Sequence, residues 1–167
     1  LTFGSFPELD FACNEAMNTL CTNLIFSGSS FKKIMITSCM PNEGKSFLSM
    51  NILRTLAGMG KRVVLVDADL RKSILRSRYQ IRDDGSGLGM TNYLAGRCSV
   101  DDVFFATNIP NAYIIPSGRD VINSLPLLST PTLGLLLDAM AESFDYVLID
   151  VPPIGLVIDA AMIAKVS

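Results

Sequence analysis

The chain has 167 residues, 49% of them hydrophobic and 18% charged, with a formal net charge of −2: a length that suits one domain and a composition that excludes a disordered tail. The slightly acidic balance gives no support for a nucleic-acid partner. With no histidine, and with Cys13, Cys21, Cys39 and Cys98 outside any CxxC spacing, structural zinc and histidine acid–base chemistry are excluded.

Four scattered thiols fit a reducing compartment, most of them serving as small apolar packing residues. No uncharged apolar run reaches the ~20 residues of a membrane helix. The longest candidate, residues 146–164, contains Asp150, Asp159 and the Pro152-Pro153 pair. The first ten residues lack the basic and apolar segments of a signal peptide.

In chain order, residues 7–26 carry Leu9, Ala12, Cys13, Ala16, Met17, Leu20, Cys21, Leu24 and Ile25 at helical spacing. This predicts an amphipathic helix with Pro7 in its first turn, Gly28 past its end, and its apolar face on a sheet. Residues 34–37 are a short apolar, β-branched strand that runs into a polar turn and then Gly44-Lys45-Ser46, where helical spacing begins. Strand, loop and helix in that order form the setting of a phosphate-binding loop, in which backbone N–H groups and a helix N-terminus face an anion. Gly44 lets the backbone approach phosphates, Lys45 supplies a point charge, and the Ser46 hydroxyl can ligate magnesium. The general pattern asks for glycine where this chain has Cys39, so an ordinary strand-turn-helix corner stands as the alternative at this point.

The following helix, residues 46–57, is stopped by Gly58 and Gly60. Residues 62–66 then read as a strand buried on both faces, ending in Asp67-Ala68-Asp69-Leu70-Arg71. Two carboxylates at the carboxyl end of such a strand lie where open α/β sheets bind ligands, though a solvated turn with capping aspartates has the same composition. Beside a phosphate loop both charges would need a cation, with magnesium the obvious one.

Residues 73–89 read as a polar, loop-rich excursion, and residues 90–94 and 100–105 as short helical pieces around Gly96. Residues 113–116 predict a strand, followed by a long loop through Pro126 that contains Asn123. A helix over 132–144 leads to a second fully apolar strand, 146–149, ending in Asp150. A carboxylate fixed there faces a metal held by the phosphate loop, the Walker B arrangement. The pattern implies an α/β fold, a doubly wound, mostly parallel sheet with helices on both faces, in a single domain over residues 1–167. A helix is expected over 159–166, without the further strand such a sheet would normally add, which reads as a C-terminally incomplete fragment.

Three stretches together resemble the bacterial tyrosine kinases of capsule and exopolysaccharide synthesis, members of the P-loop NTPase superfamily. Cys39-Met40-Pro41-Asn42-Glu43-Gly44-Lys45-Ser46 is similar to their Walker A loop, residues 64–71 to their Walker A′ motif, and residues 146–153 to their Walker B. Leu94-Ala95-Gly96 and Ile115-Pro116-Ser117-Gly118 add to the likeness. The family's Glu-x-x-Arg-x-x-Arg pattern for ring assembly is here Glu15-x-x-Asn18-x-x-Cys21, with both arginines lost, and its terminal tyrosine cluster has no counterpart among Tyr79, Tyr93, Tyr113 and Tyr146. Partition and division-site ATPases are the nearest competitor, but their loop carries a cross-subunit lysine where this chain has Met40.

The expected cofactors are ATP and magnesium. The loop backbone across Pro41, Asn42, Glu43, Gly44, Lys45, Ser46 and Phe47 is assigned to the phosphates, Lys45 to the charge building on the β–γ bridge, and Ser46, Asp67 and Asp150 to the metal or its waters. The resemblance implies that Asp67 takes the proton of an acceptor tyrosine, with Asp69 in support. Arg71 can pair with Asp69, a phosphate or solvent, and Asn123 is a candidate contact for adenine. The resemblance further implies tyrosine autophosphorylation, self-association, and work at the inner membrane face beside a membrane-spanning activator. A switch ATPase and a nucleotide-holding regulatory subunit without turnover are the other two readings.

Overall fold

In the computed structural model the described residues are 3–4, 6, 8–28, 30–40, 43–71, 73–79, 85–153 and 164. Pro7, Pro41, Asn42 and, apart from Ala164, the helix expected over 159–166 lie outside them. The sheet is built from β1 (Lys33–Ile36), β2 (Val63–Asp67), β3 (Phe105–Ala106), β4 (Ala112–Ile115) and β5 (Tyr146–Asp150). Its order is β1-β5-β2-β4-β3, parallel throughout except for the antiparallel edge strand β3.

Alternation along the strands explains why both faces need helices. Val63 and Leu65 of β2, with Tyr146 and Leu148 of β5, point into one core; Val64, Val66, Val147 and Ile149 point into the other. The first core is covered by α1 (Phe11–Phe26) and α2 (Lys45–Gly58), through Met17 and Cys21 of α1 and Met50, Leu53 and Leu56 of α2. The second is covered by α4 (Met90–Leu94) and α6 (Pro131–Ser143), through Met90, Leu133, Leu136 and Leu137. Two shorter helices, α3 (Leu75–Arg78) and α5 (Leu125–Leu128), complete the described set. This is the doubly wound, mostly parallel sheet expected of the sequence.

Four local expectations are corrected. The first helix begins at Phe11, because the Asp10 side chain accepts the Cys13 N–H at 2.7 Å and so caps it there. Its apolar stripe is only half covered: Met17 and Cys21 are buried, whereas Ala12, Cys13, Ala16 and Leu20 face solvent. Of the four cysteines, all free, only Cys21 is buried, and burial pushes its thiol up to about 11; Cys13 and Cys39 are exposed. Residues 100–105 are helical only over a 3-10 helix, Val100–Asp102, and end in β3, whose Phe105 and Ala106 pair with Ile114 and Tyr113. Asn111, at φ 67, helps turn the chain between the two strands.

The excursion after Asp69 is also less polar than its composition suggests. Leu75 and Tyr79 are each 1% exposed and belong to the first core, where Phe6 packs on Tyr79 at 5.4 Å between ring centroids. Gly89 and Gly118 pack backbone to backbone: a Cβ on Gly89 would lie 2.2 Å from the Gly118 nitrogen and 2.4 Å from the Pro116 oxygen. Across that contact Met90 N–H donates to Pro116 and Thr91 N–H to Ser117, at 2.8 and 2.9 Å. The start of α4 is thereby stitched to the loop after β4.

Candidate active site

Strand order places the site. β5 is inserted between β1 and β2, so three strand ends open onto one rim, with the phosphate-loop segment leaving β1, Asp150 at the end of β5 and Asp67 at the end of β2. Asp67 and Asp150 are register partners, and Ile36 pairs with Asp150 from the other side. Val151 N–H donates to Ile36 at 3.1 Å and Ala68 N–H to Asp150 at 2.9 Å, so the sheet pairing continues past the carboxylates and holds them in place.

The loop delivers its groups through α2. Gly44 is the N-cap at φ 89, the left-handed region that an L side chain enters at a cost of about 1–2 kcal/mol, and nothing lies within 4 Å of a Cβ there. Glycine is therefore needed for conformation rather than for space. Glu43 turns back on the loop, its carboxylate accepting the N–H groups of Cys39 at 3.0 Å and Met40 at 3.1 Å. As an anion its side chain shapes the loop and does not suit a phosphate contact. Phe47, half-buried, continues the first turn of α2.

Lys45 and Ser46 point across to the strand ends. Lys45 Nζ lies 2.6 Å from Asp150 Oδ1 and 3.8 Å from Asp69 Oδ2, in a pair only 8% and 1% exposed at Lys45 and Asp150. Ser46 Oγ, itself buried, lies 3.4 Å from the second Asp150 oxygen. Asp67 is satisfied differently: Oδ1 accepts the Asp69 N–H at 3.2 Å and Oδ2 accepts the Ser73 hydroxyl. Burial, then the neighbouring Asp150 charge, lifts the Asp67 pKa from the ordinary 3.8 to about 7, against the opposing pull of the Ser73 hydrogen bond. Burial also raises Asp150, with Lys45 as the main force in the other direction.

Three carboxyl groups thus share a rim with one ammonium. That imbalance fits a hard cation with oxygen ligands, with the buried Ser46 hydroxyl as one donor. One hydroxyl with one or two carboxylates suits magnesium, an ion that keeps waters and substrate oxygens beside its few protein ligands.

The structure brings together Lys45, Ser46, Asp67, Asp69 and Asp150. Arg71 stands next to this group, its Nε donating to Ser124 Oγ at 3.0 Å. The same loop is tied to the strand end by Val121 N–H donating to Leu70 at 2.9 Å. Asn123 is exposed and accepts the Leu125 N–H at 3.3 Å, so its amide is engaged at the start of α5. Ser73 and Ser124, the two hydroxyls that hold Asp67 and Arg71, carry no motif spacing and were not legible as site residues. Serine at the end of the Asp-x-Asp-x-Arg stretch is the only signal that could have found Ser73.

Comparison with known proteins gives the family and the fold. Residues 31–166 match the family model described as AAA domain. The tyrosine-protein kinase CpsD of Streptococcus agalactiae is 39% identical over 151 residues, covering 90% of this chain and 65% of the relative. The chain thus spans just under two thirds of the length of this curated relative. The kinase domain of the Escherichia coli tyrosine kinase ETK superimposes with a TM-score of 0.84 at 28% identity, over 92% of this chain and 60% of that one. The Mg-ADP complex of the septum site-determining protein MinD from Pyrococcus horikoshii gives 0.67 at 25% identity, over 82% and 55%.

Proposed function

The chain belongs to the AAA-domain family, as a bacterial tyrosine-kinase domain of the P-loop NTPase superfamily, and from that premise we propose that it transfers the γ-phosphoryl group of ATP to tyrosine hydroxyls. The observation that carries the reading is the convergence of Lys45 from the phosphate loop with Asp67, Asp69 and Asp150 from two adjacent strand ends. In the reaction the bond from the γ-phosphorus to the β–γ bridging oxygen breaks, a bond to the tyrosine oxygen forms, and the tyrosine proton passes to Asp67.

The backbone N–H groups at the start of α2 bind phosphate oxygens, and Lys45 leaves Asp150 to meet the charge growing on the bridging oxygen. Asp69, 3.8 Å from Lys45, keeps that ammonium oriented as it moves. Ser46, Asp67 and Asp150 would hold magnesium or its waters, and the ion when bound neutralises phosphate charge. Magnesium beside the nucleotide is supported by the MinD relative, which was solved with Mg-ADP.

None of the chain's four tyrosines is exposed, Tyr93 and Tyr113 being half-buried, which favours an acceptor on another polypeptide. Tyr79 and Tyr146 are buried at 1% and 7% exposure, and Tyr113 is stacked on Phe104 at 5.4 Å. Self-association through α1 would proceed without the family's two arginines: Asn18 and Cys21 stand at their positions, and Cys21 is wholly buried. The regulated process is capsular or exopolysaccharide synthesis, at the inner membrane face beside a membrane-spanning activator. In this chain itself no described helix is long and apolar enough to cross a membrane.

The fold shared with MinD favours one second reading, a switch that hydrolyses ATP without a protein acceptor. Incubation with Mg-ATP and a tyrosine-rich polypeptide, read by anti-phosphotyrosine blotting, tests the two. The kinase reading expects a signal that requires nucleotide, and the switch reading expects ADP and phosphate alone.

A further inference from the structure

Asp67 meets a specific physical difficulty. It is 2% exposed, its register partner is a second buried carboxylate, Asp150, and the nearby ammonium of Lys45 is directed to Asp150 at 2.6 Å and Asp69 at 3.8 Å. A buried carboxylate in that position turns away from its neighbour unless donors fix its orientation. Two neutral donors do so. The Asp69 N–H, two residues on, bonds Oδ1 in an Asx turn, and the Ser73 hydroxyl, six residues on, bonds Oδ2.

The hydroxyl is itself anchored. Ser73 Oγ accepts the Leu75 N–H at 3.4 Å, and Leu75 is 1% exposed in the first core, so the orientation of the donor is tied to packing and not to solvent.

We propose that Ser73 is a positioning residue for Asp67, a neutral donor that keeps the carboxylate turned toward the acceptor hydroxyl while Lys45 moves to the nucleotide. The inference rests on the reading of Asp67 as the proton acceptor. Its chemical point is that Lys45 can leave the aspartates without breaking a hydrogen bond to Asp67, because those bonds come from the Asp69 N–H and the Ser73 hydroxyl. A carboxylate keeps about four lone-pair positions, so the two bonds present leave room for the tyrosine O–H.

Steady-state transfer from Mg-ATP to a tyrosine-rich polypeptide by the full chain tests this, together with calorimetric ADP affinity and the thermal midpoint. Ser73→Ala is expected to lower kcat roughly 10- to 100-fold, the scale of one charge-assisted hydrogen bond, with KM for ATP and ADP affinity within about twofold of the parent. Ser73→Thr is expected to restore most of kcat. Ser73→Cys, nearly isosteric with a weak donor, is expected to fall between them and serves if the alanine variant does not fold.

Parental kcat in Ser73→Ala would overturn the proposal, as would a raised kcat, which would make the hydroxyl an obstacle to the acceptor. A loss of ADP affinity in parallel with kcat would reduce Ser73 to a structural residue. Asp67→Asn measured alongside separates the layers. If it keeps full transfer, the proton-acceptor reading itself falls; if it is inactive while Ser73→Ala is unimpaired, only the Ser73 role falls.

Discussion

Asp67 and Asp150 stand side by side as register partners at the ends of β2 and β5, both buried, and only Asp150 is in salt-bridge contact with Lys45. Two carboxylates in that position are an arrangement no folded chain adopts for stability. A cation and a phosphate chain entering between strand ends and loop, as proposed above, would offset that penalty.

The penalty is measurable through pH. With its pKa raised from 3.8 to about 7, Asp67 keeps its proton in the folded chain over a range where the unfolded chain has released it. The folded state then binds more protons, so Asp67 makes stability fall as pH rises from about 4 to about 7, with no further change above. Thermal midpoints at pH 5 and pH 8 without nucleotide should show this fall, and Asp67→Asn should flatten it and raise the midpoint at pH 8. A midpoint that climbs across this window in the parent and not in the variant contradicts the assignment.

Lys45→Met should abolish transfer, because no other described cation reaches both Asp150 and Asp69 from the phosphate loop. It also leaves a buried carboxylate unpaired, a loss of about 3–5 kcal/mol for breaking a buried pair, moderated when Asp150 takes up a proton. The far-UV circular dichroism should persist while the denaturation midpoint drops. Retained transfer would remove the phosphate-loop assignment.

Two glycines should respond to alanine in different ways. At Gly44 the obstacle is a φ of 89 with open space around the Cβ, so Gly44→Ala should cost about 1–2 kcal/mol and weaken nucleotide binding. At Gly89 the Cβ would fall 2.2 Å from the backbone nitrogen of Gly118, and the stitched contact between α4 and the loop after β4 would have to open. Gly89→Ala should therefore be the more destabilising of the two in chemical denaturation. The reverse order would show that the contact yields readily.

The Tyr79 hydroxyl is buried with no hydrogen-bond partner among the described residues, and burial raises its pKa. Tyr79→Phe should remove an unsatisfied polar atom and raise unfolding free energy by about 1 kcal/mol with transfer unchanged. A loss of transfer in Tyr79→Phe would instead give the hydroxyl a part in the site.

What the sequence made legible follows from the physics of strand ends. Lys45, Ser46, Asp67, Asp69 and Asp150 announce themselves because a buried apolar run that stops at a carboxylate, or at Gly-Lys-Ser, can be recognised locally, and a parallel sheet brings such ends to one rim. Ser73 and Ser124 reach Asp67 and Arg71 through the path of two loops, which no spacing encodes. The edge strand β3 is two residues long, too short for any period to show. On α1 the apolar period is real, but it does not say which part of the stripe the sheet covers, and Leu20 lies outside the part buried through Met17 and Cys21.

The central claim is most directly tested by following the γ-phosphate of radiolabelled ATP, with magnesium and a tyrosine-rich polypeptide, in the parent chain and in Asp67→Asn. The account predicts label on tyrosine in the parent and its loss in the variant while nucleotide affinity is kept. Label released wholly to water by the parent, or carried to tyrosine equally by both, would contradict it.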